Sequence, residues 1–198
     1  AQTEESIVEV PIIMYHSILK NSNRQGKFII SPSEFESDLK YFKENNYNTI
    51  LVQDLIDYVY YGKELPENPV MLTFDDGYYN NYFYAFPLAK EYNYKFVIAP
   101  IGKQIDVYSE NKDANPNYAH ISWEGLKEML DSGLVEIQNH SYNMHTVNKN
   151  RNGAKKNKGE SIDHYKNSIT EDIVKMQEKV KENLGITPTT FVYPFGAI

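Results

Sequence analysis

The segment Val70-Met71-Leu72-Thr73-Phe74 runs without a charged residue straight into Asp75-Asp76-Gly77. A strand that is apolar on both faces must be covered on both faces, which is the situation of a parallel sheet with helices packed above and below it. That requirement narrows the fold to a layered α/β architecture. The rest of the chain supplies the matching alternation: strands are predicted over 8–14, 49–52, 95–99, 134–139 and 189–193, with helices over 53–61, 81–92 and 122–132. Ser31-Pro32-Ser33-Glu34 reads as a capping box with proline at the first helical position, and Phe35, Leu39 and Phe42 share one face of the helix it opens. Ser168-Ile169-Thr170-Glu171 reads as a second capping box, followed by the apolar stripe Ile169, Ile173, Met176, Val180 and Leu184 and closed by Gly185. The polar, basic stretch 148–159 reads as an exposed loop.

Such alternation fits either a closed (β/α) barrel or an open doubly wound sheet, and both carry their chemistry at the carboxyl ends of the strands. Asp75-Asp76 follows one predicted strand, His140 a second and Pro194-Phe195-Gly196 a third, so the three groups are expected on one rim. At 198 residues the chain is read as one domain, 1–198. A formal charge of −7 disfavours a phosphate backbone as the main partner, and no nucleic-acid partner is expected. No apolar run approaches the roughly 18 residues of a membrane span. Without a cysteine there is no disulfide and no thiolate ligand for a metal. A chain that opens on Ala1 is expected to have lost a signal peptide or anchor, which places it outside the cell or at its surface.

Two adjacent acids at the end of a buried strand repel each other unless a cation or a proton compensates. His140 and His145 follow their strand five residues apart, a spacing that does not stack both rings on a helix and so requires a loop. Neutral imidazoles on such a loop suit a divalent ion, zinc first, with cobalt, nickel or iron as alternatives. One aspartate and two histidines leave positions open on the ion, as in sites that keep a water for hydrolysis of an amide or ester.

Taken in order, Thr73-Phe74-Asp75-Asp76-Gly77, the His140/His145 pair and Tyr193-Pro194-Phe195-Gly196 resemble the polysaccharide deacetylases, carbohydrate esterase family 4, over nearly the whole chain. The resemblance implies a distorted (β/α) barrel, with Asp75 as general base and Asp76, His140 and His145 as ligands of one divalent metal. It further implies that the backbone N–H of Phe195 binds the oxyanion. Met14-Tyr15-His16 and the five-residue histidine spacing are most similar to the branch that deacetylates poly-β-1,6-N-acetylglucosamine in biofilm matrices, which implies a substrate-binding or supporting role for His16. The expected partner is an acetylated polysaccharide. Alternatives are an acetyl-xylan esterase, a chitin or peptidoglycan deacetylase, or a carbohydrate-binding domain that keeps the metal site without turnover.

Two departures from the family pattern bear on mechanism. Thr190, Phe191 and Val192 stand where many members place an arginine ahead of the third motif's proline. The chain ends at Ile198, so the family's later motifs, with a histidine general acid and an apolar wall for the acetyl methyl, are expected to be missing along with the last strands of the barrel. His120 and His164 read as structural or surface residues, and Trp123 as a packing residue.

Overall fold

The computed structural model describes residues 8–148 and 151–198. In chain order it contains β1 (Ile12–Tyr15), β2 (Ser17–Ile18), β3 (Ile29–Ile30), α1 (Pro32–Glu44), β4 (Asn48–Thr49), α2 (Val52–Tyr61) and β5 (Pro69–Asp76). A π-helical turn at Asn81–Ala85 leads into α3 (Phe86–Tyr92), followed by β6 (Phe96–Pro100), α4 (Gly102–Asn111), α5 (Trp123–Asp131) and β7 (Val135–Ile137). The chain then makes a short antiparallel pair, β8 (Val147–Asn148) with β9 (Arg151–Asn152), before the long helix α6 (Ile162–Leu184).

β1, β5, β6 and β7 lie side by side in that order, all parallel, and β4 pairs with the beginning of β5. Beyond β7 the sheet continues as a single parallel bridge between Asn139 and Phe191, made by the Asn139 N–H on Thr190 O and the Val192 N–H on Asn139 O. Among the described residues these five strands form an open, helix-covered parallel sheet, and β2 pairs in parallel with β3 as a separate two-stranded one. β5 is the strand that the opening apolar run marked out. Val70, Leu72 and Phe74 face the main core, whereas Met71 packs with Ile50 and Val97 in a second cluster on the other side. Phe74 meets the edge of Phe35 from α1 and of Phe96 from β6, and stacks on Tyr15 of β1, so one ring joins three elements. Full burial of a side chain of this kind is worth about 1.5–3 kcal/mol.

Ser31 caps α1 as its sequence indicates: its Oγ accepts the Glu34 N–H while the Glu34 carboxylate accepts the Ser31 N–H. Gly62 and Gly185 close α2 and α6 in left-handed conformations. Other expectations need correction. α6 begins at Ser161, whose Oγ accepts the His164 N–H, so Ser168 to Glu171 lie inside the helix and cap nothing. Both Ser161 and Ser168 are followed by helix-compatible sequence, and the earlier serine gains two further turns for α6. α4 went unread because its buried face amounts to Gly102 and Ile105 alone. The first strand starts later than residue 8, because Pro11 has no N–H to give and only its carbonyl joins the ladder, accepting from Met71. Val52 opens α2 instead of ending a strand, since the Asp54 side chain accepts the Leu51 N–H and starts the helix there. The stretch read as an exposed loop over 148–159 contains β9 and a buried Gly153-Ala154; its residues 149 and 150 lie outside the described residues.

Candidate metal centre

Asp75 and Asp76 end β5 and are both buried, each 6% exposed. In an extended strand their side chains would leave on opposite faces. The backbone breaks the alternation: Asp76 has a φ of 67° and Gly77 one of 71°. Only glycine fits the second of these places, because a Cβ on Gly77 would lie 2.4 Å from Cβ of Pro100. The Asp76 carbonyl is held from two sides, accepting from His120 Nδ1 at 3.0 Å and from the Ile101 N–H at 3.3 Å.

The histidines come from the loop after β7. Ser141 takes a left-handed φ of 69°, and its N–H donates to Asn139 Oδ1 at 2.8 Å. The loop is gripped from outside by Asp172 of α6, whose carboxylate accepts the Tyr142 and Asn143 N–H groups at 2.7 and 2.8 Å. The start of α4 adds a second hold, with the Gly102 and Lys103 N–H groups donating to the carbonyls of Ser141 and Tyr142. These bonds do the work that a helix would do in a more closely spaced pair. His140 is fixed further by Val192, whose carbonyl lies 2.9 Å from its Nδ1. A carbonyl only accepts, so Nδ1 carries a proton, and in the neutral ring Nε2 keeps its lone pair.

Nε2 of His140 and of His145 both point at Asp76 Oδ1, at 3.4 and 3.0 Å, and the candidate ligand atoms of the three residues all lie within 4.8 Å of one another. Ligand bonds of about 2.0–2.2 Å place neighbouring ligand atoms on a divalent ion roughly 3.0–3.4 Å apart. Asp76 Oδ1 is also a buried atom without a hydrogen-bond donor. A buried anionic oxygen of this kind calls for a compensating charge, and the nitrogen and oxygen set fits a divalent ion of the zinc type.

The two acids are held in different electrostatic states. Burial is the largest influence on Asp75 and pushes its carboxyl above the ordinary range, against the opposing pull of His140 and His16. Burial acts in the same direction on Asp76, but the nearness of the His140 and His145 rings overrides it and keeps that carboxyl well below the ordinary range. Adjacent carboxyls pushed apart in this way suit one proton acceptor and one permanent anion.

His16 lies at the end of β1 on the Asp75 side, its carbonyl accepting from Asn81 Nδ2 at 2.7 Å and its ring 5.0 Å from that of Phe28. Phe195 has a left-handed φ of 60° in the turn Pro194–Gly196, and its half-exposed ring lies 4.2 Å from the ring of His145. Asp75, Asp76, His16, His140, His145 and Phe195 therefore gather at one rim. Trp123 packs against the core, its Nε1–H donating to Asp106. His164 is in the first turn of α6, beside Glu160. Sequence reasoning missed Asp172, which sits among charged residues on a helix and carries no local signal, and it gave His120 no part in the site.

The fold and this cluster define an α/β domain with a candidate metal centre at the carboxyl ends of its strands. The chain belongs to the polysaccharide deacetylase family, which matches residues 62–198. It is 27% identical over 202 aligned residues to a poly-beta-1,6-N-acetyl-D-glucosamine N-deacetylase of Escherichia coli strain K12, covering 93% of this chain and 30% of that protein. A protein of the same description from Staphylococcus aureus strain MRSA252 is 28% identical over 176 residues, covering 89% of this chain and 57% of the relative. Among solved structures, a de-N-acetylase from Aggregatibacter actinomycetemcomitans superposes with a TM-score of 0.80 at 28% identity, covering 96% of this chain and 80% of that one. The chain thus spans less than two thirds of the length of these curated relatives.

Proposed function

We propose that this domain is a metal-dependent N-deacetylase that removes acetyl groups from N-acetylglucosamine residues of an extracellular polysaccharide, with poly-β-1,6-N-acetylglucosamine as the favoured polymer. The observation that carries the reading is the convergence of His140 and His145 on one buried, donorless oxygen of Asp76, in a chain of the deacetylase family. The names of the relatives support the choice of polymer. Such a polymer places the action at the cell surface or in the surrounding matrix.

Asp76, His140 and His145 would hold the ion, zinc being the first choice. When bound, it supplies Lewis-acid polarisation of the acetyl carbonyl and acidifies a water. Asp75, buried beside the cluster, accepts the proton of the attacking water. The water oxygen bonds to the acetyl carbon, the carbon–nitrogen bond breaks as its nitrogen takes the proton held by Asp75, and acetate and a free sugar amine leave. The Phe195 N–H donates to the carbonyl oxygen as negative charge develops on it. His16, next to Asp75, orients the acid or the sugar. The Val192 carbonyl keeps the His140 tautomer, a support of the kind that tunes ligand basicity.

The test is acetate release from β-1,6-linked N-acetylglucosamine oligomers by zinc-loaded protein, beside a chelated sample. Release that chelation abolishes is the expected result. Release untouched by chelation would remove the metal from the reading, and zinc binding without release from any acetylated polymer would leave a binding domain.

A further inference from the structure

His120 lies outside the ligand set, yet its placement ties it to the centre. Directly after the Asp-Asp-Gly turn, the segment 77–79 runs antiparallel beside 119–121. The Tyr79 N–H donates to Ala119 O at 2.8 Å, the Ile121 N–H donates to Gly77 O at 2.9 Å, and Tyr78 bridges His120. The His120 ring is stacked at 4.8 Å on Tyr78 and lies 5.5 Å from the ring of Tyr108. With the ring so fixed, Nδ1 meets the Asp76 carbonyl at 3.0 Å, and because a carbonyl only accepts, Nδ1 is the donor.

The backbone that receives this bond is the unusual one. Asp76 is a non-glycine residue in the left-handed region, at a φ of 67°, a conformation that L-residues adopt only where the surroundings impose it. Relaxed to an extended strand, Asp76 would carry its side chain to the other face of the sheet, away from His140 and His145. The Ile101 N–H also reaches the same carbonyl, at the longer distance of 3.3 Å.

The geometry points to His120 as a positioning residue: its Nδ1–H, bonded to the Asp76 carbonyl, maintains the left-handed turn that aims the Asp76 carboxylate at the two histidines. The inference rests on the metal reading of that cluster and adds a residue to it that touches neither ion nor substrate.

The test is the affinity of the whole chain for zinc, measured by competition with a chromogenic chelator. His120→Phe keeps a ring beside Tyr78 and Tyr108 and removes the donor; about tenfold weaker zinc binding is expected, the lower end of what losing a ligand's support costs. His120→Asn restores an N–H near the Nδ1 position and is expected to bind within about twofold of the unaltered chain. Unchanged affinity in the phenylalanine variant overturns the proposal. A loss in the asparagine variant as large as that in the phenylalanine variant overturns it too, since putting the donor back would then have restored nothing. If the phenylalanine variant does not fold, His120→Leu takes its place in the comparison. Folded, unaltered protein that binds no zinc removes the metal reading itself, whereas tight binding by both that protein and the phenylalanine variant removes only the role of His120.

Discussion

The carboxylate of Asp172 accepts the backbone N–H of Tyr142 at 2.7 Å, tying the middle of α6 to the loop that carries both histidines of the candidate metal centre. A second bond, from the Asn143 N–H at 2.8 Å, makes the attachment two-pronged. Neither donor belongs to regular secondary structure, so the loop's shape depends on an acid contributed from 30 residues away.

Asp172→Ala removes the acceptor for both N–H groups. Hydrogen bonds to charged groups contribute about 1.5–3 kcal/mol each, so the expected destabilisation is on the order of 2 kcal/mol or more. Chemical denaturation would measure it. Zinc affinity is expected to fall with it, because the same loop carries His140 and His145; an alanine variant as stable as the parent would show that the loop holds its own shape.

Asp75→Asn leaves the ligand set intact while removing the proton acceptor. Acetate release is expected to drop by about 10²–10⁴-fold, the usual worth of a general base, with zinc still bound at parent affinity. Parent-level turnover in the asparagine variant would rule Asp75 out as the base.

Gly77→Ala combines a left-handed φ of 71° with a Cβ only 2.4 Å from Pro100 Cβ. Left-handed backbone alone costs a non-glycine residue roughly 1–2 kcal/mol, and the overlap with Pro100 adds to it. A loss of about 2 kcal/mol or more is therefore expected in denaturant melts, together with weakened zinc binding through the shift of Asp76. A melt indistinguishable from that of the parent would mean that the turn can reorganise freely.

Glu160, which belongs to neither the ligand set nor the paired acids, gives a pH signature of its own. Its carboxyl is held down to about 2, first by the Asn157 N–H and then by hydrogen bonds from His164 and Arg151, with burial opposing. A carboxyl whose folded pKa lies below its unfolded one contributes stability that is complete above the unfolded value, near 4.5, and is lost as the pH falls toward about 2. The melting temperature of Glu160→Gln should therefore lie below that of the parent at pH 6, with the gap closing toward pH 2. A gap that stays constant across that range would show that the contribution is not one of charge.

The sheet was legible because its central strand advertises itself: no other segment combines an unbroken apolar run with a paired-acid stop, and both faces of β5 are covered in the fold. Ser31 could be read because its reciprocal bond with Glu34 is purely local. Ser168 misled for the same reason, since the same local pattern also occurs within a continuing helix, and it is Ser161, whose Oγ accepts the His164 N–H, that caps α6. The grouping of Asp75, Asp76, His140 and His145 followed from their places after strands. Asp172 and His120 had no such marker. Each acts on the backbone of a distant residue, and a backbone amide or carbonyl looks alike at every position of a sequence.

β5 is the best-anchored strand of the sheet, paired with β1, β4 and β6 at once, while the histidine loop hangs from side-chain and cap bonds at the edge beyond β7. Breathing of the molecule starts where cooperative pairing is thinnest. The acid half of the centre should thus exchange its amide hydrogens last, and the imidazole half among the first. An ion held between them would come and go through excursions of the loop while the aspartates stay in place. Its residence time would then report the opening frequency of one short segment and not the global stability of the fold.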